Sequence, residues 1–366
     1  MIRRNLEVAT GRVQPVIKYI GSKRLLIEPI VAAVRGFGPD VGSALDLFSG
    51  TSRVGHALKS TGLRVTANDH LAYAATLARC YVAADRERWR APAERLLAEL
   101  SEVPADDEEG WFTNAVCRDA RYIQPKNGVR IEAIRRSIAQ RDLPRPLEAI
   151  ALTSLMEAAD RVDSTTGVQM AYLKAWAKRS FNELELRVPA LLPGEGEATE
   201  LEAVEGAAAA VDVAYLDPPY NQHSYKGNYH VWETLVRWDD PETYGIANKR
   251  IDCRTYKNAF NSKVRIEAAF EEVIAAVRAP ELVVSFSNEG FLSREQLEAT
   301  LSARGHVRVV SKKFGRYVGA KIGIYDPQGK KVGKVSHLEN REMIFVVSPD
   351  LERADAAAKA CLAAMG

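Results

Sequence analysis

Cysteine is scarce in this chain: four in 366 residues, at Cys80, Cys117, Cys253 and Cys361, with no CxxC pair among them. Such spacing argues against a zinc module or a disulfide framework, so no metal is expected and a reducing compartment is the default. No apolar run reaches the roughly 18 residues that a membrane span needs. The opening Met-Ile-Arg-Arg-Asn leads into no apolar segment, so no secretion signal is expected. Internal repeats and long low-complexity tracts are missing, and so is the GxGxxG fingerprint of dinucleotide-binding folds. Neither sign of charge dominates. The net charge is +2, and composition alone points to no polyanionic partner.

What is present reads as a globular, soluble chain, with 46% hydrophobic and 27% charged residues. The length suits one enlarged domain or two. The charge is unevenly placed: residues 118–146 carry eight Lys/Arg against three acids, and residues 308–334 carry eight against one. Such clusters usually form a solvated face, and two in one chain raise the prospect of a phosphate-facing surface.

The stretch around which the rest is organised is Val213-Ala214-Tyr215-Leu216-Asp217-Pro218-Pro219-Tyr220. A short apolar run of this kind is the mark of a buried parallel strand. Asp217 precedes proline and is held extended, while Pro218 and Pro219 prevent a helix or ladder from beginning at once. The result is a stiff corner at the carboxyl end of a strand, where open α/β sheets bind ligands. It presents a carboxylate, the Pro218 carbonyl and the face of Tyr220. Two acceptors and an aromatic plane suit a flat ring bearing an amino group, such as a base taken out of its helix.

Upstream, Ala44-Leu45-Asp46-Leu47-Phe48-Ser49-Gly50-Thr51-Ser52-Arg53-Val54-Gly55 reads as strand, small-residue loop and helix, an arrangement that sets backbone N–H groups beside a ligand. A second strand, Arg64 to Ala67, ends at Asn68-Asp69. Asp69 lies 19 residues beyond Gly50, where an acid commonly accepts from ribose hydroxyls. Before both stands Lys18-Tyr19-Ile20-Gly21-Ser22-Lys23. There Ser22 is positioned to cap a helix with Leu25, Leu26, Ile30 and Val34 on one face and Lys23 in its first turn.

Between these units and the corner, residues 81–190 interrupt the alternation of strand and helix. The pattern predicts a helix from Tyr81 to Glu102 broken near Pro92, an acidic loop, a turn at Asn127-Gly128, a basic helix from Val129 to Gln140, and a helix from Leu147 to Arg161. A polar turn from Asp163 follows. In the basic helix Ile131, Ile134 and Ile138 form the buried stripe, which leaves Arg135 and Arg136 flanking it, within reach of a duplex. The core pattern resumes near Phe181 or Leu184. Beyond the corner come a polar-aromatic loop (His223, Tyr225, Tyr229), a helix from Val264, a strand Leu282–Phe286, a helix from Arg294, a strand at Val307–Val310, a basic hairpin or loop over 315–333 with Tyr317 and Tyr325, a last strand Glu342–Val347, and a helical tail from Leu351. Together these elements predict an α/β fold, an open sheet of about seven strands with helices on both faces, carrying an inserted, mainly helical subdomain.

The order of these motifs resembles the Dam-like DNA adenine methyltransferases, whose catalytic motif is Asp-Pro-Pro-Tyr or a close variant. The similarity extends to the aromatic-x-Gly-x-Lys segment at Tyr19 to Lys23 and to Phe-x-Gly at Phe48 and Gly50. Ser52 stands where that family carries its next glycine. The resemblance implies a Rossmann-like methyltransferase sheet, mostly parallel with one antiparallel strand. Residues 1–80 and 191–366 would form the catalytic domain that binds S-adenosylmethionine, and 81–190 the target-recognition subdomain. It implies Asp217, Pro218, Pro219 and Tyr220 as catalytic residues, and Tyr19, Lys23, Phe48, Gly50, Asp69, Leu201 and Asp217 as cofactor-binding residues. The implied reaction is methyl transfer to the exocyclic amine of adenine after base flipping. The implied partners are double-stranded DNA and a cognate restriction endonuclease, in a prokaryotic cytoplasm. Methylation of cytosine amino groups or of an RNA base, and a catalytically dead nucleic-acid-binding module, are the alternatives.

Overall fold

The computed structural model describes residues 17–20, 23–105, 107–170, 175–315, 324–325, 331–333 and 339–366. Ser22, residues 171–174 of the polar turn, and most of the stretch 315–333 with Tyr317 lie outside the described residues. The sheet has seven strands: β1 (Ser43–Asp46), β2 (Arg64–Asn68), β3 (Glu197–Thr199), β4 (Val213–Leu216), β5 (Glu281–Ser287), β6 (His306–Gly315) and β7 (Glu339–Ser348). Their order is β3-β2-β1-β4-β5-β7-β6. β1 to β5 pair in parallel, and β7 runs antiparallel to both of its neighbours. This is the mostly parallel sheet, with one reversed strand, that the resemblance implied.

β4 and β5 are buried along their whole length because helices cover both faces. Val213 and Tyr215 face one layer, with Ile30 and Val34 of α1 (Ile27–Gly36), Leu58 of α2 (Arg53–Ser60), and Ala357 and Cys361 of the tail helix. Ala214 and Leu216 face the other, with Phe270 and Ile274 of the helix Ile266–Ala276 and Leu297 of the helix Arg294–Ser302. Strand periodicity of two therefore divides one four-residue strand between two cores.

The helical insert has its own core. α3 (Ala72–Ala78) precedes it. Its main helices are α4 (Arg86–Glu102), α5 (Pro125–Ala139) and α6 (Arg145–Val162). Ile131, Ile134, Ile138, Leu155 and Met156 pack there with Tyr73 and Leu77 of α3, and with Trp232 and Leu235 of α7 (His230–Arg237). The insert is thus bonded to the helix that follows the Asp-Pro-Pro-Tyr corner.

Four expectations need correction. α1 begins at Ile27 with Leu26 as its cap residue, so Lys23 lies in the turn before the helix and not in its first turn. α4 runs unbroken through Pro92, which sits on a partly exposed side where the carbonyl it leaves unpaired can turn to water. Asn127-Gly128 is no turn: Pro125 starts α5, and proline at a first helical position lacks only an N–H that would have had no partner. The sheet resumes at Glu197 rather than near Phe181, which is 59% exposed; Leu184, Leu186 and Val188 pack on the helical core instead. Ile324–Tyr325 and Lys331–Gly333 pair antiparallel, as a hairpin requires. Among the described residues no helix is long and apolar enough to cross a membrane.

Candidate active site

Three adjacent parallel strands each deliver an acid at or just past the carboxyl end: Asp46 from β1, Asp69 after β2 and Asp217 after β4. All three line one cleft of about 1020 Å³, part of it open to solvent. The same cleft is lined by Tyr19, Lys23, Phe48, Gly50, Leu201 and Pro219, so the structure brings most of the sequence-derived residues together. Pro218 is buried behind the corner, and Tyr220 stands beside it with its ring 5.6 Å from the Lys23 ammonium and 5.3 Å from Phe286.

The Asp217 carboxylate is oriented from one side. Its Oδ1 lies 3.1 Å from Lys23 Nζ and accepts from Ser285 Oγ at 3.1 Å, while Ser285 in turn meets the Tyr215 hydroxyl at 2.8 Å. Among the described residues, no donor reaches Oδ2 or the Pro218 carbonyl. Lys23 also pairs with Glu342 at 3.3 Å. Burial pushes the Lys23 ammonium down, but the two carboxylates outweigh it and hold the group well above its ordinary value. Burial lifts the Asp217 carboxyl above its usual range, against the pull of Lys23. Burial raises Asp46 to about 7, although its Oδ2 accepts from Gly55 N–H at 2.8 Å. A Cβ at position 55 would sit 3.0 Å from that oxygen, so a larger residue there would press on the Asp46 carboxylate.

The loop after β1 is fixed by its neighbours. Asp69 accepts from Gly50 N–H at 2.9 Å and Leu71 N–H at 3.0 Å. Burial still raises its carboxyl, in spite of His70 and those two donors. Gly50 takes φ 50°, and a Cβ there would meet the Tyr19 hydroxyl at 3.2 Å. Ser52 adopts φ 57°, the left-handed conformation that glycine takes without strain. Tyr19 itself stacks on Tyr229 at 4.4 Å and on Tyr225 at 5.2 Å. Tyr225 lines the cleft, Tyr229 is buried behind Tyr19, and His223 faces solvent away from it.

Several residues in or beside the cleft escaped the sequence reading. Asp46 repeats the pattern of strand followed by acid, and Ser285 is a polar interruption of an apolar strand; both carried a signal. Glu342 meets Lys23 across 319 residues of chain and carried none. Phe260 packs edge-on to Phe48 at 5.3 Å, and Tyr256 stacks on His70 at 5.4 Å. Asn68 donates to the Leu201 carbonyl at 3.1 Å and accepts its N–H at 3.2 Å, fixing Leu201 at the rim. Glu200 turns away to Arg79, while Glu202 lines the cleft.

Arg135 is corrected outright. It is 6% exposed, and it donates to the carbonyls of Leu235 at 2.8 Å and Val236 at 2.9 Å over the face of Trp238. It serves the C-terminal end of α7 and faces no duplex. Arg136 is exposed. In the polar turn Asp163 is likewise committed, to Lys18 at 2.7 Å and Arg179 at 2.8 Å.

A zwitterionic nucleoside cofactor requires a ribose acceptor, apolar walls for a base, and groups of both charges for an amino-acid tail. Asp69, Phe48 with Leu201, the three acids, and buried polar atoms with no partner at Ser49 Oγ and Arg53 Nε and Nη1 fit those needs. Residues 19–298 match the family described as D12 class N6 adenine-specific DNA methyltransferase. The chain is 28% identical over 350 residues to the modification methylase StsI of Streptococcus sanguinis, covering 90% of this chain and 52% of that one. It is 29% identical over 316 residues to the type II methyltransferase M.NlaIII of Neisseria lactamica, covering 82% and 89%. It is 28% identical over 361 residues to M.FokI of Planomicrobium okeanokoites, covering 92% and 53%. The chain thus spans about half the length of StsI and M.FokI and most of M.NlaIII.

Proposed function

This chain belongs to the D12 class N6 adenine-specific DNA methyltransferases, and from that premise we propose that it methylates the exocyclic amine of adenine in double-stranded DNA with S-adenosylmethionine. When bound, that cofactor supplies an electrophilic methyl group on a sulfonium. Asp69 would take the ribose hydroxyls, Phe48 and Leu201 the adenine, and Tyr19 and Gly50 the approach to the tail. Asp46 and Asp217 supply negative charge for a cation, and Lys23 keeps that charge from accumulating unpaired.

The observation that carries the reading is the one-sided anchoring of Asp217. Lys23 and Ser285 occupy Oδ1, so Oδ2 is left to accept one hydrogen of the amine while the Pro218 carbonyl accepts the other. Two in-plane acceptors fix the direction of the nitrogen lone pair, so orientation and preorganised charge supply the acceleration. Lifted by burial, Asp217 is basic enough to receive the proton that the methylated nitrogen sheds. Tyr220 would stack on a base rotated out of the duplex. We assign target recognition to 81–190, the catalytic domain to 1–80 and 191–366, and the setting to a restriction–modification pair with a cognate endonuclease in a prokaryotic cytoplasm. Label transfer from the cofactor to duplex DNA, to DNA lacking adenine and to RNA tests the reading. Label should enter only adenine-containing DNA; label in adenine-free DNA or in RNA would move the substrate to cytosine or to RNA.

A further inference from the structure

The cations lining the cleft differ in one respect. Lys23 pairs with Asp217 and Glu342, and Lys226 pairs with Asp252 at 3.1 Å. Arg53, the first residue of α2, pairs with no carboxylate among the described residues. It is 5% exposed, it lines the cleft, and its Nε and Nη1 have no hydrogen-bond partner. Asp160, an acid whose field reaches it, is already engaged by Lys18, through its N–H at 3.2 Å and its ammonium at 3.3 Å. A buried guanidinium without a partner is costly to a fold that gains nothing from it. Its planar donors match a carboxylate in geometry and charge. The acids of the cleft would repel such a carboxylate, and among the described cations that line it Arg53 is the one without a carboxylate partner.

We propose that Arg53 is the binding residue for the carboxylate of the cofactor's amino-acid tail, the cleft acids taking the ammonium; this rests on the S-adenosylmethionine reading above. Lys23, whose charge two carboxylates already share, acts as the holder of Asp217.

The test is calorimetry with two ligands, S-adenosylhomocysteine and its decarboxylated analogue, on the intact chain and on Arg53→Met and Arg53→Lys. Wild type should bind the carboxylated ligand at least ten-fold more tightly. Arg53→Met should lose that preference while its affinity for the decarboxylated ligand stays within two-fold, and Arg53→Lys should fall between. The melting temperature of ligand-free Arg53→Met should match or exceed that of wild type, since Nε and Nη1 lose no partner. Equal losses for both ligands, no loss for either, or a lower melting temperature would overturn the assignment. Weaker DNA affinity with unchanged ligand affinity would move Arg53 to a phosphate and overturn it too. If wild type binds neither ligand, the cofactor reading itself fails and this proposal falls with it.

Discussion

Lys23 sits between two carboxylates, 3.1 Å from Asp217 and 3.3 Å from Glu342, and through them it joins the turn before α1 to the end of β4 and to β7. Its ammonium opposes the effect of burial on Asp217, so removing it leaves that carboxyl higher still. Lys23→Met should therefore move the acidic limb of the pH–activity profile upward. An unmoved limb would mean that Asp217 does not need to be ionised or does not feel Lys23. Ser52 makes a separate case. The family's glycine is replaced by a residue that still takes φ 57°. Ser52→Gly should change stability by less than about 1 kcal/mol, since glycine's ease at positive φ and its greater freedom when unfolded oppose each other. Ser52→Val, β-branched at positive φ, should lose about 2 kcal/mol or more in denaturant unfolding. Equal stability of the two variants would contradict the strained-loop account.

Among the elements, α5 shows what a sequence pattern can and cannot carry. Its apolar stripe at Ile131, Ile134 and Ile138 was legible from helical spacing, and all three are buried. The fate of Arg135 was not. The stripe says which face is inward but not what lies across it, and α7 ends there with carbonyls that need donors. Arg135→Ala should cost about 1.5–3 kcal/mol of stability, the worth of a hydrogen bond from a charged donor, and leave the salt dependence of DNA binding unchanged. Arg136→Ala, on the exposed side, should shallow the salt slope by about one unit if the insert grips phosphate. A change in slope on Arg135→Ala would contradict its placement. The start of α1 was missed for a related reason. Ser22 is a good cap by type, but the helix begins at Ile27, and Lys23 thereby lies in the turn that delivers it to the cleft.

At the scale of the whole molecule, the alternation of short apolar runs with helical stretches was enough to foresee an open sheet of about seven strands, the resemblance supplied its mostly parallel order, and runs ending in acids marked the cleft. What escaped were the meetings of distant segments, Glu342 with Lys23 and Phe260 with Phe48 above all, since no local spacing encodes them. The two lobes are joined through α3 and α7, whose side chains enter the core of the insert. Because α7 follows the Asp-Pro-Pro-Tyr corner, a lobe that grips DNA would bear on the corner through a shared core rather than through a hinge. We propose that the Asp217 corner methylates the amine of adenine in DNA. The most direct measurement of this is mass spectrometry of nucleosides from duplex DNA treated with cofactor and either the intact chain or Asp217→Ala. N6-methyl-2′-deoxyadenosine should appear with the intact chain and fall by orders of magnitude with a variant that still folds and binds DNA. Undiminished product from Asp217→Ala, or N4-methylcytosine in place of methyladenine, would contradict the account.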